Sequence, residues 1–384
     1  MEDNKTEYQA EIFANRLKKK YKELKKWSRK NRITSYRLYD RDIPEVPVSL
    51  DLYEFLPEYI DSPLEAAKFI SEQNAKLSAN VAGIEAEIKE RTYAVLYLYE
   101  RPYEKDEDAE KIWLDTMAEK AAQSLAINKD HIIKKTRGHK SHKGSDKAQY
   151  EKNEEETVTG LVMEQGQLFK VDLSTYLDTG LFFDHRPLRT LVRDKASNKR
   201  VLNLFCYTGS FSVYAAQGNA RFVESADLSN TYLDWAKENM KLNGFFDKKK
   251  YLFTRSDCIR FLQEKATAAK KGDLKKEDFY DFIILDPPTF SNSKTAVNIL
   301  DINRDWPQLV KDCLNILSPG GSLYFSTNSE RIKFDLEKIP PKTAAGLDFN
   351  CEEITASTID KDYEGKKPHK VWLFTISSNQ NQRP

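Results

Sequence analysis

Residues 201–212 read VLNLFCYTGSFS, and the fold turns on how that stretch breaks. Arg200–Phe205 is a short, largely apolar run, as a buried strand requires. Thr208, Gly209 and Ser210 supply the small residues of a sharp turn, and Ser210–Gln217 then has helical spacing. The pattern repeats downstream. Strands are predicted at Arg221–Ala226, Tyr251–Thr254, Phe282–Leu285, Ser322–Ser326, Asn350–Ser357 and Val371–Ile376. Helices are predicted at Thr231–Leu242, Cys258–Ala266 and Arg304–Leu317. Apolar strands alternating with helices mean a mostly parallel sheet covered on both faces. The last two strands lack a good helix between them, so an antiparallel edge pair is expected. In such sheets a ligand sits at the carboxyl ends of the strands.

Upstream the pattern differs. Residues 11–31 predict a helix, with Phe13, Leu17, Tyr21, Leu24 and Trp27 on one stripe and mostly basic residues elsewhere. Strands are expected at Ser35–Tyr39, Val46–Tyr53, Tyr93–Tyr99, Ile132–Lys135, Thr157–Met163 and Gln167–Val171. A helix is expected at Ala109–Ala126, and a helical hairpin between Glu58 and Glu90. The expected organisation is a basic helix over 1–32, an α+β auxiliary domain over 33–173 and an α/β domain over 174–378. The tail 379–384 reads as disordered, and 266–278 as a Lys-rich surface insertion.

The 384 residues are 40% apolar and 32% charged, with a net charge of +1, so the chain is expected to be globular and cytoplasmic. No apolar run approaches the ~20 residues of a membrane span, and residues 1–10 lack a signal-peptide pattern. Cys206, Cys258, Cys313 and Cys351 are widely spaced, which argues against a zinc site and against a disulfide framework. The charge is distributed unevenly. Arg16–Arg32 holds ten Lys or Arg and one acid, and Lys134–Lys147 holds six Lys or Arg, two His and one acid. Such patches can engage phosphates on a near-neutral protein; either run can equally be a solvated face or loop.

Four strand ends carry a polar residue on the carboxyl side. Gly209 opens the first helix, where backbone N–H groups lack intrahelical acceptors. A single Gly makes neither a dinucleotide fingerprint nor a P-loop. Asp227 lies about 20 residues beyond it, where an acid can accept both hydroxyls of a ribose; Asp227, Ser229 or Asn230 would also serve as a helix N-cap. Asp257 is placed to accept from an adenine amino group. Asp286 precedes two prolines, which fix the chain and remove donors. Together these ends predict a nucleoside-cofactor site.

The motifs LNLFCYTGSFS, ADLSNTYLDWAKENMKLNG, SDC and DPPTFSNSK, with STYLDTGLFFDHR upstream, resemble those of class I S-adenosylmethionine-dependent RNA methyltransferases. FANRLKKKYKELKKW, YRLYDRDIPEVPVSLDLYE and KTRGHKSHKG are similar to the guanine-N7 methyltransferase half (K) of the bifunctional 23S rRNA large-subunit methyltransferase K/L. The resemblance implies a Rossmann-like domain with a seven-stranded sheet, and a freestanding version of that half, with 23S rRNA or a large-subunit precursor as substrate. A separate partner methyltransferase half is a further expectation. It places Phe205, Tyr207, Thr208, Gly209 and Ser210 at the cofactor's amino-acid end, and Asp227, Leu228 and Ser229 at its ribose and adenine. Asp257 and Cys258 would meet the adenine edge. Thr179, Phe182, Asp184, His185 and Arg186 would close over the cofactor, and Asp286, Pro287, Pro288 and Phe290 would receive the target base. Asn239 and Asn243 match family positions, although helix-end capping explains them as well. Lys18, Lys19, Lys22 and Lys26 on the helix, and Lys134, Lys135, Arg137, Lys140 and Lys143 downstream, would hold the RNA backbone.

The target atom constrains the site. Methylating carbon-5 of a pyrimidine requires a nucleophilic cysteine, and neither DPPTF nor LYFSTNSE contains one. Cys313 falls within a predicted helix and reads as core. Guanine N7 has an exposed lone pair and no proton to lose, so no general base is needed. Asp286 would then grip the N1 and N2 protons of a base flipped from its helix. An exocyclic amine at guanine N2 or adenine N6 remains the alternative, since Asp286, Pro287 and Phe290 also suit it. A non-catalytic RNA-binding assembly factor is the second alternative.

Overall fold

The computed structural model describes residues 2–99, 106–137, 157–291 and 299–378. Lys140 and Lys143 lie outside these residues, as does the expected tail, and the side chain of Arg137 is not among those described. The chain divides into two compact units, Met1–Phe183 and Asp184–Pro384. Among the described residues no helix is long and apolar enough to cross a membrane.

The first unit is built on a four-stranded sheet in the order β1 (Ser35–Asp40), β2 (Val48–Glu54), β3 (Thr92–Tyr99), β4 (Ile132–Arg137). The first two pairings are antiparallel and the third is parallel. A parallel pair needs a crossover, and a helix at Glu107–Leu125 supplies it. The N-terminal helix α1 (Glu2–Lys30) packs against that crossover helix. Phe13, Leu17 and Leu24 are buried with Trp113, Met117 and Leu125 over the sheet, and Gln9 accepts from the Trp113 indole at 2.8 Å. The apolar stripe predicted for α1 therefore faces the core. The helical hairpin expected between 58 and 90 appears as Pro63–Ser78 and Ile84–Glu90. Gln73 ties it down by donating to Glu54 and accepting from Arg91. Lys134 and Lys135 stand on β4, where the strand Ile132–Lys135 was predicted, and pairing with β3 runs on as far as Arg137.

The second unit is a seven-stranded sheet. In spatial order it runs Phe349–Glu353, Lys370–Ile376, Leu317–Thr327, Tyr280–Leu285, Arg200–Leu204, Phe222–Asp227, Tyr251–Arg255. The last five are mutually parallel, and the strand at 370–376 runs antiparallel to both neighbours. The α/β class and the antiparallel edge pair are as predicted. Strand order reverses between the strand at 200–204, where the chain starts, and that at 280–285, which marks the ligand crevice of such sheets. Two expectations need correction. The strand near 350 ends at Glu353, where Thr355–Thr358 turns into a 3-10 helix. The helix at Cys258 runs through Lys271 to a Gly272 cap, so the first part of the Lys-rich insertion is helical.

Candidate active site

The first functional loop follows the strand at 200–204. Phe205 and Tyr207 hold positive φ values of 54° and 50°, and Gly209 one of 74°. For a bulky residue such a conformation costs roughly 1–3 kcal/mol, so surrounding contacts must hold it. They are visible. Phe205 N–H donates to Cys258 Sγ at 3.4 Å, Cys206 N–H to the Ala226 carbonyl at 3.0 Å, and Tyr207 N–H to Asp227 Oδ2 at 3.0 Å. Asn239, fully buried, donates to the Thr208 carbonyl at 2.9 Å, and Asn243 donates to the Asn239 carbonyl at 2.8 Å. Their amides thus brace the loop. Gly209 opens the helix Ser210–Gln217; a Cβ there would stand 2.8 Å from that of Ala236. The backbone is left bare beside a helix N-terminus, where its N–H groups can meet a carboxylate.

Asp227 ends the neighbouring strand. Its second oxygen, Oδ1, accepts from Ser229 N–H at 2.9 Å. Burial raises the Asp227 carboxyl above the ordinary range, with backbone donors at Ser229, Tyr207 and Leu228 offsetting part of that. Ser229 caps the helix Asn230–Leu242 through Tyr232 N–H. Asp257 caps the helix Cys258–Lys271 through Ile259 and Arg260 N–H. Both carry the helix-cap alternative that their residue types allow. Cys258 donates to the Ala226 carbonyl at 3.4 Å, and burial raises its thiol, so it stays protonated and joins two strand ends.

Asp286 follows the strand at 280–285, its side chain 29% exposed. Pro287 is buried, Pro288 exposed, and Phe290 56% exposed. Phe290–Ser291 pairs with Leu300–Asp301, and Thr289 donates to Asn328 at the end of the strand 317–327. The Asp-Pro-Pro loop is thereby pinned on two sides.

Behind Asp286 stands a group that sequence reasoning only partly found. His185 Nε2 lies 3.5 Å from Asp286 Oδ1 and 2.7 Å from Ser326 Oγ, and its Nδ1 lies 3.3 Å from Asp184 Oδ2. His369 stacks on His185 at 4.4 Å, with its Nδ1 3.1 Å from the same Asp184 oxygen. Burial opposes charge on His185, but Asp286 and Asp184 override it and raise the imidazole to about 9. Burial and the His185 charge lower His369. Burial also opposes charge on Asp184, yet the two imidazoles hold its carboxyl well below the usual range. Arg186, with no exposed side-chain surface, donates to Asp360 at 2.8 Å and Asp362 at 3.1 Å.

In the first unit, the Thr179 hydroxyl lies 2.9 Å from the Tyr53 hydroxyl, and Phe182 is 45% exposed. Lys134 pairs with Asp115, and Lys135 donates to the carbonyls of Tyr176 and Leu177. Lys18, Lys19, Lys22 and Lys26 are all exposed on α1.

A family model described as S-adenosylmethionine-dependent methyltransferase matches residues 91–355. The chain belongs to that family. This methyltransferase is 38% identical over 368 residues to ribosomal RNA large subunit methyltransferase K/L of Shewanella frigidimarina, covering 95% of this chain and 44% of that one. The protein of the same name from Magnetococcus marinus is 36% identical over 370 residues, covering 96% and 43%. The chain thus spans less than half the length of these relatives. Among solved structures, the SMU.776 methyltransferase complexed with SAH superposes with a TM-score of 0.63 at 19% identity, covering 96% of this chain and 82% of that one. A Streptococcus mutans SAM-dependent methyltransferase gives 0.61 at 19%, covering 96% and 81%. Both share the fold of this methyltransferase.

The cofactor dependence fits the residues present: a bare glycine opens the helix on one side of the switch point, and an acid ends the strand beside it. Asp227→Ala removes the brace on Tyr207 and, on the expectation that Asp227 accepts from the ribose, should weaken S-adenosylmethionine binding about 10- to 100-fold. Calorimetry showing unchanged affinity would remove Asp227 from the cofactor site.

Proposed function

We propose that this chain methylates guanine N7 in large-subunit 23S rRNA, acting as the K half of the K/L type. The observation that carries the reading is Asp286: a partly buried carboxylate at the switch point, backed by a cationic imidazole and followed by an exposed aromatic ring. A carboxylate only accepts hydrogen bonds, and guanine's Watson–Crick edge offers two donors side by side. Phe290 supplies a face on which the flipped base can stack. S-adenosylmethionine supplies the methyl group. N7 carries its lone pair in the plane of the ring and needs no proton removed, so the protein's task is placement.

The cofactor roles follow the same geometry. Phe205, Tyr207, Thr208, Gly209 and Ser210 are assigned to the amino-acid end, with Asp227, Leu228, Ser229, Asp257 and Cys258 around the nucleoside. Thr179, Phe182 and Asp184 through Arg186 belong to the flanking segment. The relatives' printed names support a large-subunit rRNA substrate, and Cys313, fully buried in the core, offers no nucleophile for a carbon-5 reaction.

Methyl transfer from labelled cofactor to unmodified 23S rRNA, followed by borohydride and aniline treatment, tests the reading. Chain cleavage at one discrete site is the expected result. Label without cleavage would move the target to an exocyclic amine, and no label on RNA or precursor particle would leave a binding factor.

Backbone contact is assigned chiefly to α1. Lys18, Lys22 and Lys26 recur at a spacing of four on its exposed side, whereas Lys134 and Lys135 already have protein partners. Changing Lys18, Lys22 and Lys26 to Glu is expected to lower the slope of log affinity against log salt by about 2–3, near 0.7–0.9 per phosphate lost. An unchanged slope would make the helix face merely solvated.

A further inference from the structure

We propose that Asp184, His185 and His369 act as one positioning unit, in which a His185 imidazolium holds the Asp286 carboxylate in the orientation that grips the target base. The proposal rests on the reading of Asp286 as the base-gripping acid.

The argument starts from proton counting. A neutral imidazole has one N–H and one lone pair. His185 faces a carboxylate at each nitrogen, Asp184 at Nδ1 and Asp286 at Nε2. The Ser326 hydroxyl, 2.7 Å from Nε2, can donate to a neutral ring or accept from a charged one, so the choice falls to the two carboxylates 3.3 and 3.5 Å away, which favour the doubly protonated ring. Burial normally discharges a histidine; here the charged groups around it decide otherwise. They are Asp184 on its own turn, Asp286 beyond the strand at 280–285, Arg189 on the following helix and His369 stacked above. Two anions outweigh one guanidinium, and His369 stays neutral. The neutral His369 donates from Nδ1 to Asp184, and its Nε2 faces the Thr358 hydroxyl at 2.9 Å. The second imidazole thus fixes Asp184 without adding a competing charge.

Placement follows from topology. The strand 370–376 runs antiparallel, with Val371 opposite Ser326 and Lys370 opposite Thr327. Its first residue therefore lies at the carboxyl edge of the sheet, and His369 arrives against His185 although 184 positions separate them in sequence. Ser326, fully buried, braces Nε2 from the adjacent strand. Asp286 is consequently held by a charge that cannot swing away.

The test is a 15N titration of the histidine side chains in the full chain, with His185→Gln and His369→Gln for assignment. One imidazole is expected to titrate near 9 and to vanish in His185→Gln. Its charge is present below that pH and lost as pH rises through it. In Asp286→Asn its midpoint should fall, because the larger of the two raising charges is gone. A His185 midpoint near the ordinary 6.5, or one indifferent to Asp286→Asn, would overturn the proposal. In turnover, His185→Gln should lose about 10- to 100-fold in kcat, and the loss should shrink above pH 9, where the wild-type ring is itself neutral. A deficit constant across that range would mark a purely structural role. The two readings separate cleanly: aniline cleavage reports the target atom, whereas the titration reports the relay whatever atom is methylated.

Discussion

Asp286→Asn is expected to cut methyl transfer by roughly 10²–10⁴-fold while leaving S-adenosylmethionine affinity within about a factor of three. The substitution keeps shape and removes one acceptor. Where the carboxylate presents two oxygens to adjacent N–H donors, the amide presents one oxygen and one NH₂. On the proposed guanine reading, one base donor then meets another donor, and a buried polar group is left unpaired. Charge-assisted hydrogen bonds contribute about 1.5–3 kcal/mol each, and two are at stake. The cofactor loop is braced separately by Asn239, Asp227 and Cys258, which explains why binding should survive. Single-turnover rates on 23S rRNA, with calorimetry for the cofactor, check both halves. Turnover within a few-fold of wild type would show that the base is selected elsewhere.

The strand-end acids were legible in the sequence because each ends a short apolar run, and parallel strands put all their ends on one edge. VLNLFCYTGSFS and FIILDPPTF are separated by 70 residues yet adjoin at the switch point, since strand order reverses there. What pattern reading could not supply was the partner of each side chain. Nothing in the PHKVW stretch at 368–372 marks His369 as the neighbour of His185; only the antiparallel pairing of the final strand brings it there. The Lys134–Lys147 run shows the opposite limit. Its charge count suggested phosphate contacts, but Lys135 donates to backbone carbonyls. Composition reports how many charges a segment has, not how many remain for a ligand. The capping alternatives at Ser229 and Asp257 show the same ambiguity, because a short polar side chain at a strand–helix junction serves either purpose.

Arg186 is the sharpest case of a residue whose motif position and whose contacts suggest different roles, and its substitution should be the most destabilising proposed here. Its guanidinium is completely buried and donates to Asp360 and to Asp362, itself fully buried. Arg186→Met would leave those carboxylates without their cation in a region that excludes water. Breaking such a pair typically costs about 3–5 kcal/mol, equivalent to roughly 6–20 °C in melting temperature for a unit of this size. Replacing the pair together, as Arg186→Met with Asp362→Leu, should recover much of the loss, because an apolar pair of similar volume needs no compensation for desolvation. Thermal unfolding of the single and double variants measures the coupling. Cofactor affinity per folded molecule then separates the two roles. If Arg186 only staples residues 360–362 beneath the helix it begins, the double variant binds S-adenosylmethionine as wild type does. If instead affinity stays low when stability returns, the guanidinium contributes to the cofactor site directly, and the staple is secondary to it.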